Sequence, residues 1–179
     1  MNTEIKKLLK GTWTYNLKDN NLHLQQTTTQ IILENRNNEC FQQILAYLAS
    51  QGKPDPTLQC NIPNTTTTIP LEKFHRILRA NTVLYEPLLR LTQTTNGINC
   101  QSQHINIQLE NNKPQQPQNT IYIDPFQLYK VTRIFRERER IPTTISFNHE
   151  HLSLKMEFPW VVLNMKIVQR KHDEKQIKW

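Results

Sequence analysis

The stretch that most constrains this chain runs from Ile121 to Phe158 and reads as strand, helix, strand, tight turn, strand. Asp124 stands at an N-cap position, Pro125 follows at the first helical position, and Gln127 lies three residues after Asp124. That capping-box spacing satisfies orphan N–H groups of a first helical turn. Leu128, Val131 and Phe135 recur at helical spacing with Ile134 beside them, while Lys130, Arg133, Glu137 and Arg140 take another face. Pro142 closes the segment, because the residue before a proline is pushed out of the α region. The spacing predicts a helix over 124–140. Thr144–Phe147 is rich in β-formers. Leu152, Leu154, Met156 and Phe158 alternate with Ser153, Lys155 and Glu157, the pattern of a half-buried strand.

Parts of this stretch recur upstream. Arg76-Ile77-Leu78-Arg79 matches Arg133-Ile134-Phe135-Arg136, Leu71 matches Leu128, and the run His104–Glu110 matches His151–Glu157. Internal self-similarity is a mark of repeated supersecondary units. It predicts two helix–hairpin units, with helices over 70–86 and 124–140 packed on the same sheet face about an approximate two-fold.

Ahead of the repeat, Ile5, Leu8 and Leu9 share a helical face, Thr12–Leu17 is strand-like, and Leu22–Leu33 reads as one long strand after a turn. Asn38 is placed to cap a helix over Glu39–Ser50, whose apolar stripe is Phe41, Ile44, Leu45 and Leu48 and whose stop is Gly52. The proline-rich link at 52–57 separates an N-terminal β-hairpin and helix (1–52) from the duplicated α+β unit (58–179). Beyond the link, Leu58–Ile62 reads as a short strand, and Thr68 as the cap of the next helix. Asn96-Gly97 signals a hairpin before a strand over 98–110. Val161–Val168 is apolar on both faces, as expected of a central strand or an interface. The expected fold class is α+β, an antiparallel sheet flanked by helices. A chain of 179 residues suffices for one compact domain with a sizeable core.

Charge gives the partner class. The chain carries 22 Lys+Arg against 15 Asp+Glu, a formal net charge of +7. Residues 1–57 are nearly balanced, so the excess lies on the repeated part. A basic surface attracts nucleic acid, acidic membranes or acidic proteins. Lys73, Arg76 and Arg79 fall at spacings of three on the first predicted helix, and Lys130, Arg133, Arg136 and Arg140 at three and four on the second. Such stripes put guanidinium forks along one edge, where they contact phosphates bidentately. These seven residues are the candidate nucleic-acid contacts. Trp160 and Trp179 are the candidate protein contacts, since an indole outside a core seeks a partner.

Other chemistry finds less support. Cys40, Cys60 and Cys100 are single and far apart, with no C-x-x-C, which speaks for ordinary thiols in a reducing, cytoplasmic setting. No leader-like or membrane-spanning run is read, and no membrane partner is expected. Three glycines and no G-x-S-x-G leave neither a phosphate-cradling loop nor a nucleophile elbow, and no cofactor is expected. Six histidines include no H-E-x-x-H, and no metal is expected. His75, His104 and His151 keep open a small histidine-dependent nuclease, which needs no local motif.

In element order the repeats resemble the β-α-β-β-β units of DNA sliding clamps. The order also suits a ferredoxin-like split β-α-β, the module of many RNA-binding proteins and CRISPR effector subunits. The likeness is one of order, and no family motif is matched. The leading expectation is a non-catalytic nucleic-acid-binding or scaffold subunit of a larger nucleoprotein complex, with DNA or RNA and other protein subunits as partners. The alternatives are a protein-binding adaptor using strand 161–168 and the tryptophans, and the small nuclease.

Overall fold

Strand β12 (Val161–Val168) lies inside the larger sheet because one of its faces is wholly apolar and buried and the other begins with the buried Val162. The computed structural model describes residues 1–62, 67–110 and 119–168. On one side β12 pairs antiparallel with β11 (His151–Glu157), and on the other with β3 (Thr29–Asn35). Val161, Leu163, Met165 and Ile167 enter the core, and Val162 on the opposite face is buried as well. Each such side chain contributes about 1.5–3 kcal/mol on burial. The strand is central in its sheet, the first of the two roles its apolar sequence suggests.

β12 joins the two ends of the chain in one sheet. Towards the N-terminus follow β3, β2 (Asn21–Gln25), β1 (Thr14–Lys18) and the two-residue β4 (Lys53–Pro54), the last parallel to β1. Towards the C-terminal unit follow β11, β10 (Pro142–Phe147) and β5 (Thr67–Pro70). A second, four-stranded antiparallel sheet has the order β8 (Asn106–Glu110), β7 (Gly97–Gln101), β6 (Leu89–Thr94), β9 (Thr120–Ile123). The helices are α1 (Thr3–Leu8), α2 (Asn38–Gln51), α3 (Leu71–Val83) and α4 (Pro125–Thr132). The fold is α+β, with largely antiparallel sheets flanked by helices.

The duplication is present in the topology. β5-α3-β6-β7-β8 and β9-α4-β10-β11-β12 run in the same order. The units exchange their first strands, since β5 pairs with β10 of the second unit and β9 with β6 of the first. Helices α3 and α4 pack on each other, and the two hairpins belong to different sheets rather than to one. The residue matching shifts accordingly. The run 98–110 is two strands, and His104 precedes β8, the counterpart of β12, whereas His151 opens β11, so the two histidines are not equivalent.

Several boundaries differ from those the sequence predicts. Leu22–Leu33 is a hairpin, closed by a turn at 26–28 that carries neither Gly nor Pro. Asn37, not Asn38, caps α2, its side chain accepting from the Cys40 N–H at 3.1 Å. Thr68 lies in β5, and α3 starts after Pro70 without a side-chain cap. The β6–β7 turn is Thr95-Asn96, with Gly97 paired to Thr94. Leu58–Ile62 forms no strand and is strapped across the sheet. The Asn16 amide donates to the Leu58 carbonyl (3.0 Å), Cys60 N–H donates to His23 Nδ1 (3.1 Å), and Lys166 Nζ donates to the Asn61 carbonyl (2.8 Å).

Candidate nucleic-acid interface

Helix α3 has two faces. Leu71, Phe74, His75, Ile77, Leu78 and Asn81 are buried, while Lys73, Arg76 and Arg79 are exposed together at i, i+3 and i+6. The first predicted stripe therefore exists as drawn. Arg76 reaches Glu72 at 3.4 Å, an i,i+4 pair whose guanidinium stays mostly in water.

The second stripe does not. Asp124 accepts from the N–H groups of Phe126 and Gln127, so the helix start is as predicted, but α4 ends at Thr132 with Arg133 as its C-cap. Phe135 turns into the core, fully buried, in ring contact with Phe158 at 5.2 Å. Glu137 then adopts a left-handed backbone (φ 51°), and a short 3-10 turn, 138–140, leads to β10. Arg138 fixes this path. Its Nε meets Glu72 at 2.7 Å and its Nη1 donates to the Phe135 carbonyl at 2.8 Å. Lys130, Arg133, Arg136 and Arg140 are all exposed, but of these four only Lys130 lies on α4, and the other three follow its end, with Arg140 in the 3-10 turn. The periodicity through 133–140 is real in the sequence and unused by the fold.

The turn brings residues of both candidate sets together. A groove of about 710 Å³ runs between α1, residues 134–141 and the β11–β12 turn. Arg136, Arg140 and Lys7 line it with Trp160, Phe158 and Pro159, and Glu4, Glu137 and Glu157 complete the charged part of the wall. Pro159 and Trp160 form the β11–β12 turn, closed by Phe158 N–H donating to the Val161 carbonyl at 2.9 Å. Phe135, Phe158 and Trp160 make an aromatic ladder from core to groove, with ring centroids 5.2 and 5.5 Å apart. Trp179 lies outside the described residues.

The histidines sit on separate elements. His75 is buried between α3 and α4, its Nδ1 2.8 Å from the Thr132 hydroxyl and its ring stacked on Tyr129. Burial, then the nearby Arg138 charge, pushes its pKa below the usual histidine value. His104 is held through its backbone N–H and ring nitrogen by the buried Glu86, and His151 opens β11. Among the described residues no three His, Cys, Asp or Glu side chains are grouped to hold a metal ion, and no helix is long and apolar enough to cross a membrane.

One exposed feature escapes sequence reasoning. Val83, Leu84 and Tyr85 end α3 as consecutive exposed apolar side chains, with Tyr85 84 % exposed. The sequence places Leu84 inside, because the helical period extends through it. The helix ends at Val83, and the chain turns at Tyr85, which has φ 53°.

Comparison of the whole chain with solved structures settles the architecture. PCNA of A. fulgidus, in its complex with the C-terminal region of FEN-1, superposes with a TM-score of 0.62, covering 89% of each chain at 9% identity. This is the sliding-clamp fold. The clamp fold is seen again in PCNA of Thermococcus kodakaraensis (TM-score 0.58, 9% identity, 87% of this chain and 89% of that one) and of Entamoeba histolytica (0.57, 10%, 88% of each). No protein-family model and no curated protein sequence matches the chain. The clamp likeness is thus carried by the course of the backbone, not by residues, and no site residue is transferred with it.

Proposed function

We propose that the protein is a non-catalytic, clamp-fold scaffold subunit of a nucleoprotein assembly, which holds DNA or RNA on α3 and on the turn that follows α4. One observation carries this reading: α3 presents Lys73, Arg76 and Arg79 to solvent along one face while Leu71, Phe74, Ile77 and Leu78 lock its other face into the core. A rigid row of cations in a backbone shared with PCNA suits contact with phosphates. The three free thiols fit a cytosolic setting. Each phosphate contact releases condensed counterions, so log affinity for a duplex falls linearly with log salt. Replacing Arg76 and Arg79 together by Ala lowers that slope by about two, and the Arg133→Ala, Arg136→Ala pair does the same for the turn. Folding stability barely moves, because exposed ion pairs contribute only ~0–1 kcal/mol. An unchanged slope in both double variants overturns the reading.

A protein-binding adaptor is the second reading, favoured by the exposed Val83-Leu84-Tyr85 cluster. It expects weak, featureless binding to any nucleic acid, and loss of a protein partner on truncation of Tyr85.

A further inference from the structure

We infer that the groove beneath Trp160 is a site for an unpaired nucleotide of a bound strand, stacking its base on the indole and placing its phosphates on Lys7 and Arg136. The inference rests on the nucleic-acid reading above and narrows it, since α3 alone would take a duplex.

Three features of the groove point this way. The first is a fixed aromatic platform. Trp160 sits in a tight turn with Pro159 before it, and its ring is backed by Phe158 and, through Phe158, by the buried Phe135. Pro pre-sets the backbone of such a turn, so the indole is positioned at little entropic cost. Such a ring stacks a base whatever its identity.

Available cations are the second feature. The groove carries Lys7, Arg136 and Arg140 against Glu4, Glu137 and Glu157. Two of the acids are engaged: Glu4 Oε1 accepts from the Arg136 backbone N–H at 2.9 Å, and Glu137 lies 4.0 Å from Arg140. Among the described residues neither the Lys7 ammonium nor the Arg136 guanidinium has an ion-pair partner. Glu157 remains, at the end of β11 beside the turn that carries Trp160. A wall with balanced charge does not attract a free multivalent anion. It does accept a ligand whose binding comes from stacking plus one or two phosphates, and a carboxylate accepts hydrogen bonds from exocyclic base amines.

The third feature is size and place. About 710 Å³ lies within the ~300–1,000 Å³ of ligand clefts. The groove also adjoins the α3 stripe, because Glu72 of α3 bonds both Arg76 and Arg138 of the groove-forming turn.

The test uses the whole chain, a fluorescent single-stranded oligonucleotide, its duplex, and the same single strand with abasic sites in place of its bases. The abasic strand keeps every phosphate and loses every ring. The single strand is expected to bind about tenfold or more tighter than the abasic one, the worth of a stacked base. Trp160→Ala should abolish that difference and leave duplex affinity and its salt slope unchanged, while Trp160→Phe retains most of it. Equal binding of abasic and normal strands to the unaltered protein overturns the inference, even if Trp160→Ala does not fold. So does an equal loss of duplex and single-strand affinity in Trp160→Ala, or Trp160-dependent capture of a protein with no effect on oligonucleotides. If duplex binds with the expected salt slope and the abasic comparison is flat, only this inference fails. If neither form binds, the nucleic-acid reading fails with it.

Discussion

His75 Nδ1 lies 2.8 Å from the Thr132 hydroxyl, and this contact ties α3 to α4 across the seam between the repeated units. Thr132 also meets the Tyr129 carbonyl at 3.4 Å, which turns its lone pairs towards the histidine. The pocket favours neutral His75. Burial lowers its pKa most, Arg138 and Arg79 add to that, and Glu72 opposes them. His23 under the 58–61 strap is lowered for the same first reason. The folded state thus binds fewer protons than the unfolded chain. Stability is complete above the unfolded histidine value of about 6.5 and falls as pH drops below it. Urea unfolding at pH 7.5 and 5.5 should show this loss. His75→Gln should reduce the loss without removing it, since His23 remains. An identical loss in the variant would exclude His75 as the titrating group.

Arg138 should behave unlike its neighbours in the basic run. Burial alone would raise the Glu72 carboxyl, but the Arg138 hydrogen bond and charge outweigh it and hold that group below its usual value. Arg138 also caps the Phe135 carbonyl. Arg138→Ala removes both bonds and should cost about 1–3 kcal/mol, the range for hydrogen bonds to charged groups. Arg133→Ala and Arg136→Ala should each stay within about 0.5 kcal/mol, as exposed substitutions do. Chemical denaturation of the three variants checks the contrast. Equal midpoints for all three would mean that the Arg138 contacts contribute nothing in solution.

The contrast also shows which parts of the fold the sequence reveals. The start of α4 is legible because Asp124 and Pro125 act on their own first turn. β11 is legible because its apolar residues alternate locally with polar ones, and β12 because its residues are mostly apolar. The end of α4 is hidden. It depends on Phe135 meeting Phe158 and on Arg138 meeting Glu72, a partner 66 residues away, and nothing within 133–140 distinguishes a helix that continues from one that stops. The same holds for the candidate site. The α3 stripe is a helical spacing and can be read directly. The groove pairs residues of α1, of the turn after α4 and of the β11–β12 turn, so Trp160 and Arg136 fall into different functional classes until the chain is folded. The exchange of β5 and β9 between units is likewise invisible, since a repeat in sequence does not say which copy a strand joins.

Cysteine reactivity gives a direct check of the core. All three thiols are free, but Cys100 is fully buried and its pKa is pushed up to about 12 by that burial, while Cys60, on the strap, is raised by its burial against β2. The thiolate is the reactive form. A thiol reagent at pH 8 should therefore label Cys40 in the folded protein, and Cys60 and Cys100 only after denaturation. Rapid native labelling at Cys100 would contradict the packing of β7 against the core.

Tyr85 offers the sharpest separation of stability from function. Its φ of 53° places a bulky residue in the left-handed region, and 84 % of its surface is exposed, so the fold gains little from its ring. The backbone is held there from both sides. Tyr85 N–H donates to the Thr82 carbonyl at 3.2 Å, and Glu86 N–H donates to the Asn81 carbonyl at 2.9 Å. Glu86 itself is buried and holds His104 at the entry to β8, so the turn cannot relax by swinging outward. Non-glycine residues in this region carry strain of about 1 kcal/mol or more, and Asn tolerates it best after Gly. Tyr85→Asn should therefore raise stability by about 0.5–1 kcal/mol, and Tyr85→Gly by less, because glycine gives freedom back to the unfolded chain. Thermal and urea unfolding measure this directly. A residue that strains the fold and exposes its ring is expected where a surface is kept for contact rather than for folding. On the adaptor reading, the more stable Tyr85→Asn protein loses its protein partner, while its salt-dependent binding to a duplex is unchanged. If both variants are instead destabilised, the ring contributes to the fold and the exposed cluster at the end of α3 loses its claim as a contact surface.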